Sequence, residues 1–474
     1  MKLTPVFLDF ESFWSTDHTM SKMSPIEYVM SPKTEIISVA IKVGDYPTDV
    51  IFGEDKIRHA LNKLDWSNKM AIGHNMSGFD SMILKWRFGI QPAMWGCTAA
   101  MARPKYAKTT GVSLKALAKE FGIGAKLELE ATNTKGKYLK DFTPEELDAM
   151  SEYNKVDTEL CAALFKRLVK GFLKDELVLI HLTTQMLVNP QFVLDKGLLE
   201  AALSVERANK HKALLDLAKL IREGQSDIEI EWSDEEAVAE FVRSEMASAP
   251  RFAKLLESCG VEVPMKPSPT DPTKQVPALA KTDEGFLKLQ DHPNPLVASA
   301  ARTRLSVKST ILEPRLEAFL RAGAACGGKL PVPLKYCGAD TTGRWSGEHH
   351  NMQNLPRIGS KPKTSDALRN SLKAPKGHKV VVADLSGIEL RVNHFLWKVQ
   401  SSMDLYKSDA EADLYRAFAA ARYGITPEEV TKDQRQLAKV AQLGLGFGAG
   451  AATFRKVAKL MGGLDLSDED AEAV

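Results

Sequence analysis

The sequence predicts an α/β domain, then a mostly helical region, and then an α+β region that ends in helices. Three observations lead to this prediction. Short β-type runs alternate with helical segments over residues 1–175, which is the pattern of a layered α/β domain. Apolar residues at helical spacing dominate residues 176–330. Beyond residue 331, strand-like runs return before the last helical segments.

The composition is that of an ordinary globular protein. The 474 residues are 44% hydrophobic and 26% charged, and such a length predicts roughly three domains. The net charge of +2 provides no general basic field, so any nucleic-acid surface must be local. Five cysteines without CxxC spacing argue against zinc sites and disulfides and fit a reducing compartment. We expect no signal peptide and no membrane contact, because no apolar run approaches the length of a membrane span.

The first predicted strand, residues 6–11, carries two acids. Asp9 and Glu11 share one face because side chains alternate along a strand. Neighbouring acids repel each other unless a positive group lies between them, and in proteins this group is usually a divalent cation. The alternative is an edge strand with a solvated face.

Further strands are predicted over residues 36–43, 50–52 and 70–73, and helices over residues 56–64 and 81–88. Asp80 then lies where a strand passes into a helix, which is where α/β proteins bind ligands. Alternatively, Asp80 only stabilises the start of that helix.

The helix that closes this region has a clear beginning. Thr143, Pro144 and Glu146 match a capping box with Pro at the first helical position. Asp157 interrupts the apolar stripe that follows, so this carboxylate needs a partner or a metal. Tyr153 lies one turn earlier on the same face and can reach the same point.

Three short motifs therefore follow one another: Asp9-x-Glu11, Asn75-x-x-x-Phe79-Asp80 and Tyr153-x-x-x-Asp157. Their order resembles the DEDD-type 3′→5′ exonucleases, in the subgroup with Tyr in the third motif. The resemblance implies a ribonuclease-H-like fold and an α/β exonuclease domain over residues 1–175. It also implies that four acids, which we call the carboxylate cluster, are catalytic metal ligands: Asp9, Glu11, Asp80 and Asp157. They would hold two Mg²⁺ ions about 4 Å apart, with Mn²⁺ as a substitute, and Tyr153 would orient the attacking water.

The middle region is predicted to be helical over residues 198–222 and 296–320, with a loop over residues 264–277 and a kink or break at Pro314. The last of these helices carries the basic residues Arg302, Arg304, Lys308 and Arg315. A basic helix with hydroxyl groups suits a DNA backbone, and a solvated helix face is the alternative.

Amide and guanidinium side chains cluster after residue 340, including Arg344, Asn351, Gln353 and Asn354. Such groups can bind phosphates and groove acceptors, although a generic polar loop is the alternative. Between residues 357 and 379 there are seven Lys or Arg and one acid, which is a local basic surface.

Two further stretches carry charged groups in an apolar setting. The run Val380–Val382 predicts a buried strand that ends on Asp384, and Glu389 and Arg391 follow it. Another stretch repeats every four positions, as Arg435, Lys439, Leu443 and Phe447. Two cations one helical turn apart suit a triphosphate, while two solvated cations are the alternative.

Together these stretches resemble the family A DNA polymerases of the phage or bacterial repair type. The resemblance implies a helical thumb over residues 176–330, an α+β palm over residues 331–400 and helical fingers over residues 401–474. Asp384 would be a catalytic metal ligand and Glu389 the steric gate against a ribose 2′-hydroxyl. The other implied roles are nucleotide binding by Arg435, Lys439, Leu443 and Phe447, and DNA binding by Arg344, Asn351, Gln353, Asn354 and Lys308. Leu443, Phe447 and Gly387 depart from the usual residues of the family.

The resemblance implies primer-template DNA, single-stranded DNA and deoxynucleoside triphosphates as partners, in the cytoplasm of a bacterium or a phage-infected cell. The family's third polymerase motif, a His-Asp-Glu, is absent before Val474. We therefore expect a palm that is incomplete in this sequence, either because a second polypeptide supplies the rest or because the sequence is a fragment. The sequence predicts a DNA-directed DNA polymerase with a 3′→5′ proofreading exonuclease. The alternatives are a stand-alone 3′→5′ exonuclease with a DNA-binding remnant, and a non-catalytic replisome scaffold.

Overall fold

The computed structural model describes residues 3–127, 134–224, 232–268, 271, 273–281, 283–308, 312–360, 362–409, 412–446 and 448–473. They form two compact units, residues 1–380 and residues 381–474. In the first unit the strands are β1 (Thr4–Ser12), β2 (Ile36–Val43), β3 (Asp49–Phe52), β4 (Lys69–Gly73), β5 (Met94–Cys97), β6 (Phe192–Leu194), β7 (Met265–Pro267), β8 (Gln275–Pro277), β9 (Lys329–Leu330), β10 (Leu334–Ala339), β11 (Arg344–Gly347) and β12 (Leu372–Lys373).

The helices of the first unit are α1 (Pro25–Met30), α2 (Glu54–Asn62), α3 (Asp80–Met82), α4 (Thr98–Tyr106), α5 (Leu114–Phe121), α6 (Pro144–Leu168), α7 (Lys174–Val188), α8 (Lys196–Gly224), α9 (Glu235–Ala247), α10 (Ala249–Ser258), α11 (Glu284–Lys288), α12 (Pro295–Lys308), α13 (Leu312–Ala325) and α14 (Asp366–Asn370). In the second unit they are α15 (Ile388–Leu396), α16 (Gln400–Ser408), α17 (Leu414–Tyr423), α18 (Lys432–Leu445), α19 (Ala451–Gly462) and α20 (Asp468–Ala473). None of the helices in the described part of the chain combines the length and the apolar composition that crossing a bilayer requires.

A five-stranded mixed sheet organises the first part of the chain. Its strand order is β3-β2-β1-β4-β5, with β1 antiparallel to β2 and parallel to β4. The alternation of strands and helices predicted there is confirmed. Val6, Leu8 and Phe10 enter one core, while Phe7 faces the other way and meets Phe165 of α6 with ring centroids 5.8 Å apart. Burying an aromatic ring contributes about 1.5–3 kcal/mol, so this contact holds α6 against the sheet.

The predicted helix over residues 81–88 is less regular than expected. α3 has three residues, and a π-helical turn, Ile83–Arg87, follows it. The predicted loop over residues 264–277 is also corrected, because β7 and β8 pair there as a small antiparallel hairpin. Two of the prolines lie within these strands, which is tolerated at the ends of short edge strands.

The helical middle region has two cores, which share the long helix α8. The N-terminal half of α8 packs with α13 through Leu199, Ala202 and Leu203. The C-terminal half packs with α9 and α12 through Leu214, Leu217, Ala218 and Ile221. Near the middle of α8, Arg207 and Lys210 both pair with Glu313 of α13 at 2.9 Å. One continuous helix therefore links the two cores.

The predicted helix over residues 296–320 is covered by α12, which ends at Lys308, and by α13, which begins at Leu312 and contains Pro314. This proline lies in the first turn of α13, where its missing N–H costs little. Arg304 is buried, and its Nη1 donates to the backbone oxygens of Met246 at 2.5 Å and Ser248 at 3.2 Å. Its guanidinium also lies 4.7 Å from the ring centroid of Phe252. The idea that Arg304 belongs to a DNA-facing basic surface is therefore wrong.

The second unit is built on α17, α18 and α19, which pack around Val440, Ala441 and Phe454. The buried strand predicted over residues 380–384 is wrong, because the segment has no strand structure and Val381 and Val382 are 87% and 88% exposed. A buried strand needs neighbours that take its backbone hydrogen bonds and cover its side chains, and the described residues offer none here.

Candidate functional site

Two acids stand on one face of β1, the central strand of the five-stranded sheet. Asp9 pairs with Ala40 of β2, and Glu11 pairs with Ser38. Both side chains are partly buried and leave the sheet on the side of Phe7. This is the side that α6 covers, so any acid on the inner face of α6 comes close to them.

A third acid reaches β1 from the start of α3. Asp80 is 3% exposed, and its Oδ1 accepts a hydrogen bond from the backbone N–H of Phe10 at 3.3 Å. The end of β4 must approach closely for this arrangement. A Cβ atom on Gly73 would lie 3.1 Å from the carbonyl oxygen of Leu8 and 3.3 Å from Asp80 Oδ2. Glycine at this position therefore gives Asp80 its place beside the strand.

α6 contributes the fourth acid. Thr143 and Glu146 make the predicted capping box, which fixes where the helix begins. Asn154, fully buried, donates from Nδ2 to Ser38 Oγ at 3.0 Å and so fastens the helix to β2. Asp157, one turn later, consequently points towards the sheet and is 5% exposed.

Asp157 has two polar neighbours. Tyr153 lies one turn earlier on the same helix, as the helical spacing predicts, and its interaction with Asp157 lowers the pKa of that acid in part. Lys126, which follows α5, donates from Nζ to Asp157 Oδ2, and its ammonium lies 4.8 Å from the ring centroid of Tyr153. Asp157 Oδ1 is buried without a hydrogen-bond partner among the described residues. One carboxylate oxygen is thus paired and the other is open.

Burial raises the pKa values of all four acids, and repulsion from neighbouring acids adds to the rise for Asp9 and Glu11. Burial raises the pKa of Asp9 well above its usual value, and repulsion from Glu11, Asp80 and Asp157 adds to this effect. Burial, together with a smaller effect of repulsion from Asp157, raises the pKa of Glu11 to about 7. Burial likewise raises the pKa of Asp80 to about 7. Burial also raises the pKa of Asp157, although the hydrogen bond from Lys126 lowers it in part. The structure therefore brings the predicted carboxylate cluster together.

The carboxylate cluster fits a hard divalent cation by its chemistry. Its donors are all carboxylate oxygens, which Mg²⁺ and Mn²⁺ prefer, and a dication would offset the repulsion that raises the pKa values. The open, buried Oδ1 of Asp157 is a donor without a partner in the described structure. Among the described residues, no three or more His, Cys, Asp or Glu side chains are arranged so that they could already hold a metal ion.

In the second unit, the predicted cation Arg435 is held by an acid. Its Nε donates to Asp413 Oδ2 at 2.6 Å, and its guanidinium lies 5.7 Å from the ring centroid of Tyr415. Asp413 is also the N-cap of α17, accepting from the backbone N–H groups of Tyr415 at 3.1 Å and Arg416 at 3.2 Å. Hydrogen bonds from Arg435 and these N–H groups outweigh the effect of burial and lower the pKa of Asp413. The cap therefore fixes the orientation of the guanidinium.

A cavity of about 200 Å³ lies beside this guanidinium. Arg391 also lines it, with its guanidinium 3.9 Å from the ring centroid of Tyr406. Gly387, with φ of +58°, makes the turn into α15 at the edge of the same cavity. Two guanidinium groups on one cavity form a suitable environment for an anion.

The other described residues of the predicted nucleotide site in the second unit do not line this cavity. Lys439 and Leu443 lie further along α18 and are partly buried. Glu389 is in the first turn of α15 and is partly buried, whereas Asp384 is exposed on the irregular segment before it. Phe447 lies outside the described residues.

The predicted DNA-binding residues lie mostly on one stretch of the first unit. Arg344 begins β11 and is exposed. Asn351 has φ of +32° and leads into a 3₁₀ turn in which Gln353 and Asn354 are exposed. Lys308 is the last residue of α12, and its side chain lies outside the described part of the structure.

Sequence reasoning missed four residues that shape these sites. Lys126 lies in an irregular segment and gives no pattern signal. Asn154 and His74 stand next to predicted motif residues, and that adjacency could have drawn attention to them. Burial lowers the pKa of His74 to about 4, so its neutral ring bridges Thr98 Oγ1 and the Val112 carbonyl oxygen. Asp413 could have been found as an acid that directly precedes a helix.

Comparisons with known proteins agree with the family resemblance. The profile of the family described as DNA polymerase family A matches residues 228–473. DNA polymerase I of Aquifex aeolicus (strain VF5) is 35% identical over 147 residues, covering 31% of this chain and 24% of that protein. DNA polymerase I of Pseudomonas aeruginosa is 31% identical over 199 residues, covering 42% of this chain and 20% of that protein. The DNA polymerase of Bacillus phage SP02 is 23% identical over 507 residues, covering 96% of this chain and 71% of that protein.

A solved structure resembles the chain over nearly its whole length. It is the POL domain of Pol1 from M. smegmatis in complex with DNA primer-template and dNTP. The TM-score is 0.61 at 16% identity, over 99% of this chain and 71% of that one, so the likeness shows the fold alone. The aligned residues span a quarter or less of the length of the two bacterial relatives. The family profile matches more than half of the 474 residues of this chain, and the chain therefore belongs to DNA polymerase family A.

Proposed function

We propose that the chain is a DNA-directed DNA polymerase that also carries a 3′→5′ proofreading exonuclease. Membership of DNA polymerase family A supports the polymerase activity. The observation that carries the exonuclease activity is the meeting of four acids and Tyr153 on the α6 side of β1. Such a constellation of buried acids is costly without a cation, which indicates a role in metal-assisted chemistry.

In the proposed exonuclease site, Asp9, Glu11, Asp80 and Asp157 would hold two Mg²⁺ ions. When bound, such ions supply a hydroxide nucleophile and stabilise the leaving 3′ oxygen of a phosphodiester. The residues of the chain fix the geometry: α6 is fastened to β2 through Asn154, and Asp80 is tied to β1 by the hydrogen bond from the backbone N–H of Phe10.

Tyr153 would hold the attacking water through its hydroxyl. Burial raises the pKa of Tyr153 to about 12, so the hydroxyl stays protonated at neutral pH and remains a hydrogen-bond donor. A Tyr that does not ionise can orient a water without adding negative charge to the carboxylate cluster.

In the second unit we propose a deoxynucleoside triphosphate site around Arg435. Lys439 would add a second cation on the same helix, Glu389 would act as the steric gate, and Asp384 would bind a catalytic metal. The cavity between Arg391 and Arg435 supports this assignment, because two guanidinium groups can make charge-assisted hydrogen bonds to phosphate oxygens. Leu443 and Phe447 would contact the nucleotide.

Primer-template DNA is the proposed macromolecular substrate. The solved structure that resembles this chain is a complex with a DNA primer-template. Arg344, Asn351, Gln353, Asn354 and Lys308 would contact it. We further propose the assignments of residues 1–175 as exonuclease, 176–330 as thumb, 331–400 as palm and 401–474 as fingers.

The second unit exposes an apolar surface that favours an additional partner. Leu385, Phe395 and Trp397 are 72%, 69% and 79% exposed, and Val381 and Val382 adjoin them in sequence. Large exposed apolar side chains concentrated in one segment of the chain are typical of an interaction site. We propose that polypeptide outside this sequence, on the same chain or on a second one, covers it.

The exonuclease proposal is tested by digestion of 3′-labelled single-stranded DNA with Mg²⁺. We expect Asp9→Ala and Asp157→Ala each to lower the rate by about a thousandfold or more, because each removes a metal ligand. The exposed acid Asp17 serves as the matched control, since Asp17→Ala should digest at the rate of the unchanged chain. Undiminished digestion by Asp9→Ala would disprove the site assignment.

The polymerase proposal is tested by the affinity for a deoxynucleoside triphosphate in the presence of primer-template. Arg435→Ala should weaken binding by about tenfold or more, because it removes a charge-assisted contact to the phosphates. Arg422→Ala, on the neighbouring helix α17, is the control. Equal affinity of the two variants would contradict the assignment of Arg435.

A further inference from the structure

Lys126 stands inside the carboxylate cluster. It follows α5 in an irregular segment, and its Nζ donates to Asp157 Oδ2. The lysine side chain is 26% exposed and that of Asp157 is 6% exposed, so the ion pair lies largely out of water. The ammonium also faces the Tyr153 ring at 4.8 Å, and hydrogen bonding between the two side chains is part of the same arrangement.

The influence of this lysine extends beyond Asp157. Its positive charge also acts on Asp9 and Glu11. It lowers their pKa values and so offsets part of the rise that burial causes. Neighbouring His74 is neutral and adds no charge. Leaving one acid of such a buried cluster without its cation is strongly destabilising, so Lys126 supplies the compensating charge when no metal is bound.

A metal ion and this ammonium compete for Asp157. Oδ2 is taken by Lys126, and Oδ1 is buried and open, so only half of the carboxylate is available while the ion pair persists. A dication close enough to coordinate Asp157 would also repel the ammonium at short range. Full coordination therefore requires the lysine to leave.

We propose that Lys126 is a built-in counter-ion: it occupies the carboxylate cluster when metal is absent, holds Asp157 and Tyr153 in position, and is displaced from Asp157 when metal binds. The proposal rests on the proposed exonuclease function. It makes Lys126 a positioning residue, which keeps the site folded at the expense of metal affinity.

The test is a titration of the full chain with Mn²⁺, followed by calorimetry, with Lys126→Met and Lys119→Met compared with the unchanged chain. Lys119 is an exposed lysine on α5 and is the matched control. We expect Lys126→Met to bind Mn²⁺ about tenfold more tightly, because the competing charge is gone, and Lys119→Met to bind as the unchanged chain does. Lys126→Arg should retain the weaker affinity. Equal or weaker binding by Lys126→Met would overturn the proposal.

A second measurement needs no variant. Acetic anhydride modifies free lysine side chains, and mass spectrometry reports the rate at Lys126 relative to Lys119. We expect Mg²⁺ to raise this ratio about threefold or more, because displacement frees an ammonium that was held in a largely buried ion pair. An unchanged or lower ratio would overturn the proposal.

These results separate the two proposals. A chain that binds Mn²⁺ with the expected Lys126 effect but does not digest DNA would refute the exonuclease function and support the counter-ion role. A chain that digests DNA, with Lys126→Met binding Mn²⁺ as the unchanged chain does, would refute only the counter-ion role.

Discussion

Replacing Glu11 by Gln should stabilise the metal-free chain at neutral and higher pH. Burial and Asp157 raise the pKa of Glu11 from 4.5 to about 7, so the folded state prefers the protonated form. The folded state therefore holds more protons than the unfolded state between these two values, and stability falls as the pH rises through this window. Glutamine resembles the protonated form and removes the penalty.

The magnitude follows from the pKa difference. Moving the pKa from 4.5 to about 7 corresponds to about 3 kcal/mol once the pH exceeds both values. Because the repulsion is shared within the carboxylate cluster, we expect Glu11→Gln to raise the free energy of unfolding by about 1–3 kcal/mol at pH 8. Below about pH 4.5 both side chains are neutral and the difference should vanish.

The assay is urea unfolding in EDTA at a series of pH values, with Glu159→Gln as the matched control on α6. Glu159 pairs with Lys42 at 2.9 Å, and hydrogen bonds from Thr48 and Lys42 outweigh the effect of burial and lower its pKa. Its contribution is present above its unfolded pKa and is lost as the pH falls, so Glu159→Gln should destabilise at pH 8. A destabilising Glu11→Gln, or an effect independent of pH, would refute the reasoning.

Three further predictions follow from named contacts. Tyr153→Phe should lower the exonuclease turnover about tenfold to a hundredfold in the DNA digestion assay, because the water loses a hydrogen-bond partner. Gly73→Ala should lower the free energy of unfolding by about 1–3 kcal/mol and slow digestion, since the new methyl group crowds β1 and Asp80. Asp413→Asn should keep the cap of α17 but weaken triphosphate binding about tenfold, because the amide no longer pairs with Arg435.

Each of these predictions has its own control. Tyr46 is 74% exposed, so Tyr46→Phe should digest DNA normally. Gly197→Ala should not destabilise the fold, because the added Cβ would lie 3.7 Å from its nearest neighbour, Asp195 Oδ1, which is an ordinary contact distance. Circular dichroism should show that Asp413→Asn keeps its helices. Full activity of Tyr153→Phe, full stability of Gly73→Ala or unchanged triphosphate affinity of Asp413→Asn would each contradict the corresponding argument.

The sequence allowed β1 and α6 to be predicted with their acids, because both signals are local. Alternation along β1 places Asp9 and Glu11 on one face, and the capping box sets the phase that turns Asp157 inwards. Lys126 gave no such signal. Which cation reaches Asp157 depends on the path of the chain after α5, and an irregular segment has no periodicity from which to read that path.

Elsewhere, tertiary context decided what local pattern could not. The apolar run before Asp384 has strand propensity, yet strand formation requires neighbouring strands, and none adjoins it in the described structure. Arg304 looked like one of several surface cations on a helix. Its burial depends on backbone oxygens of Met246 and Ser248, whose positions are set by α9 and α10.

The sharing of α8 between two cores has a consequence for local stability. At 29 residues the helix is about 44 Å long, and its two halves are protected by different sets of contacts. Native-state hydrogen exchange should therefore divide the amides of this one helix into two groups with distinct opening free energies. The boundary should fall near Arg207 and Lys210, which pair with Glu313 and lie along α8 between the residues of the two cores.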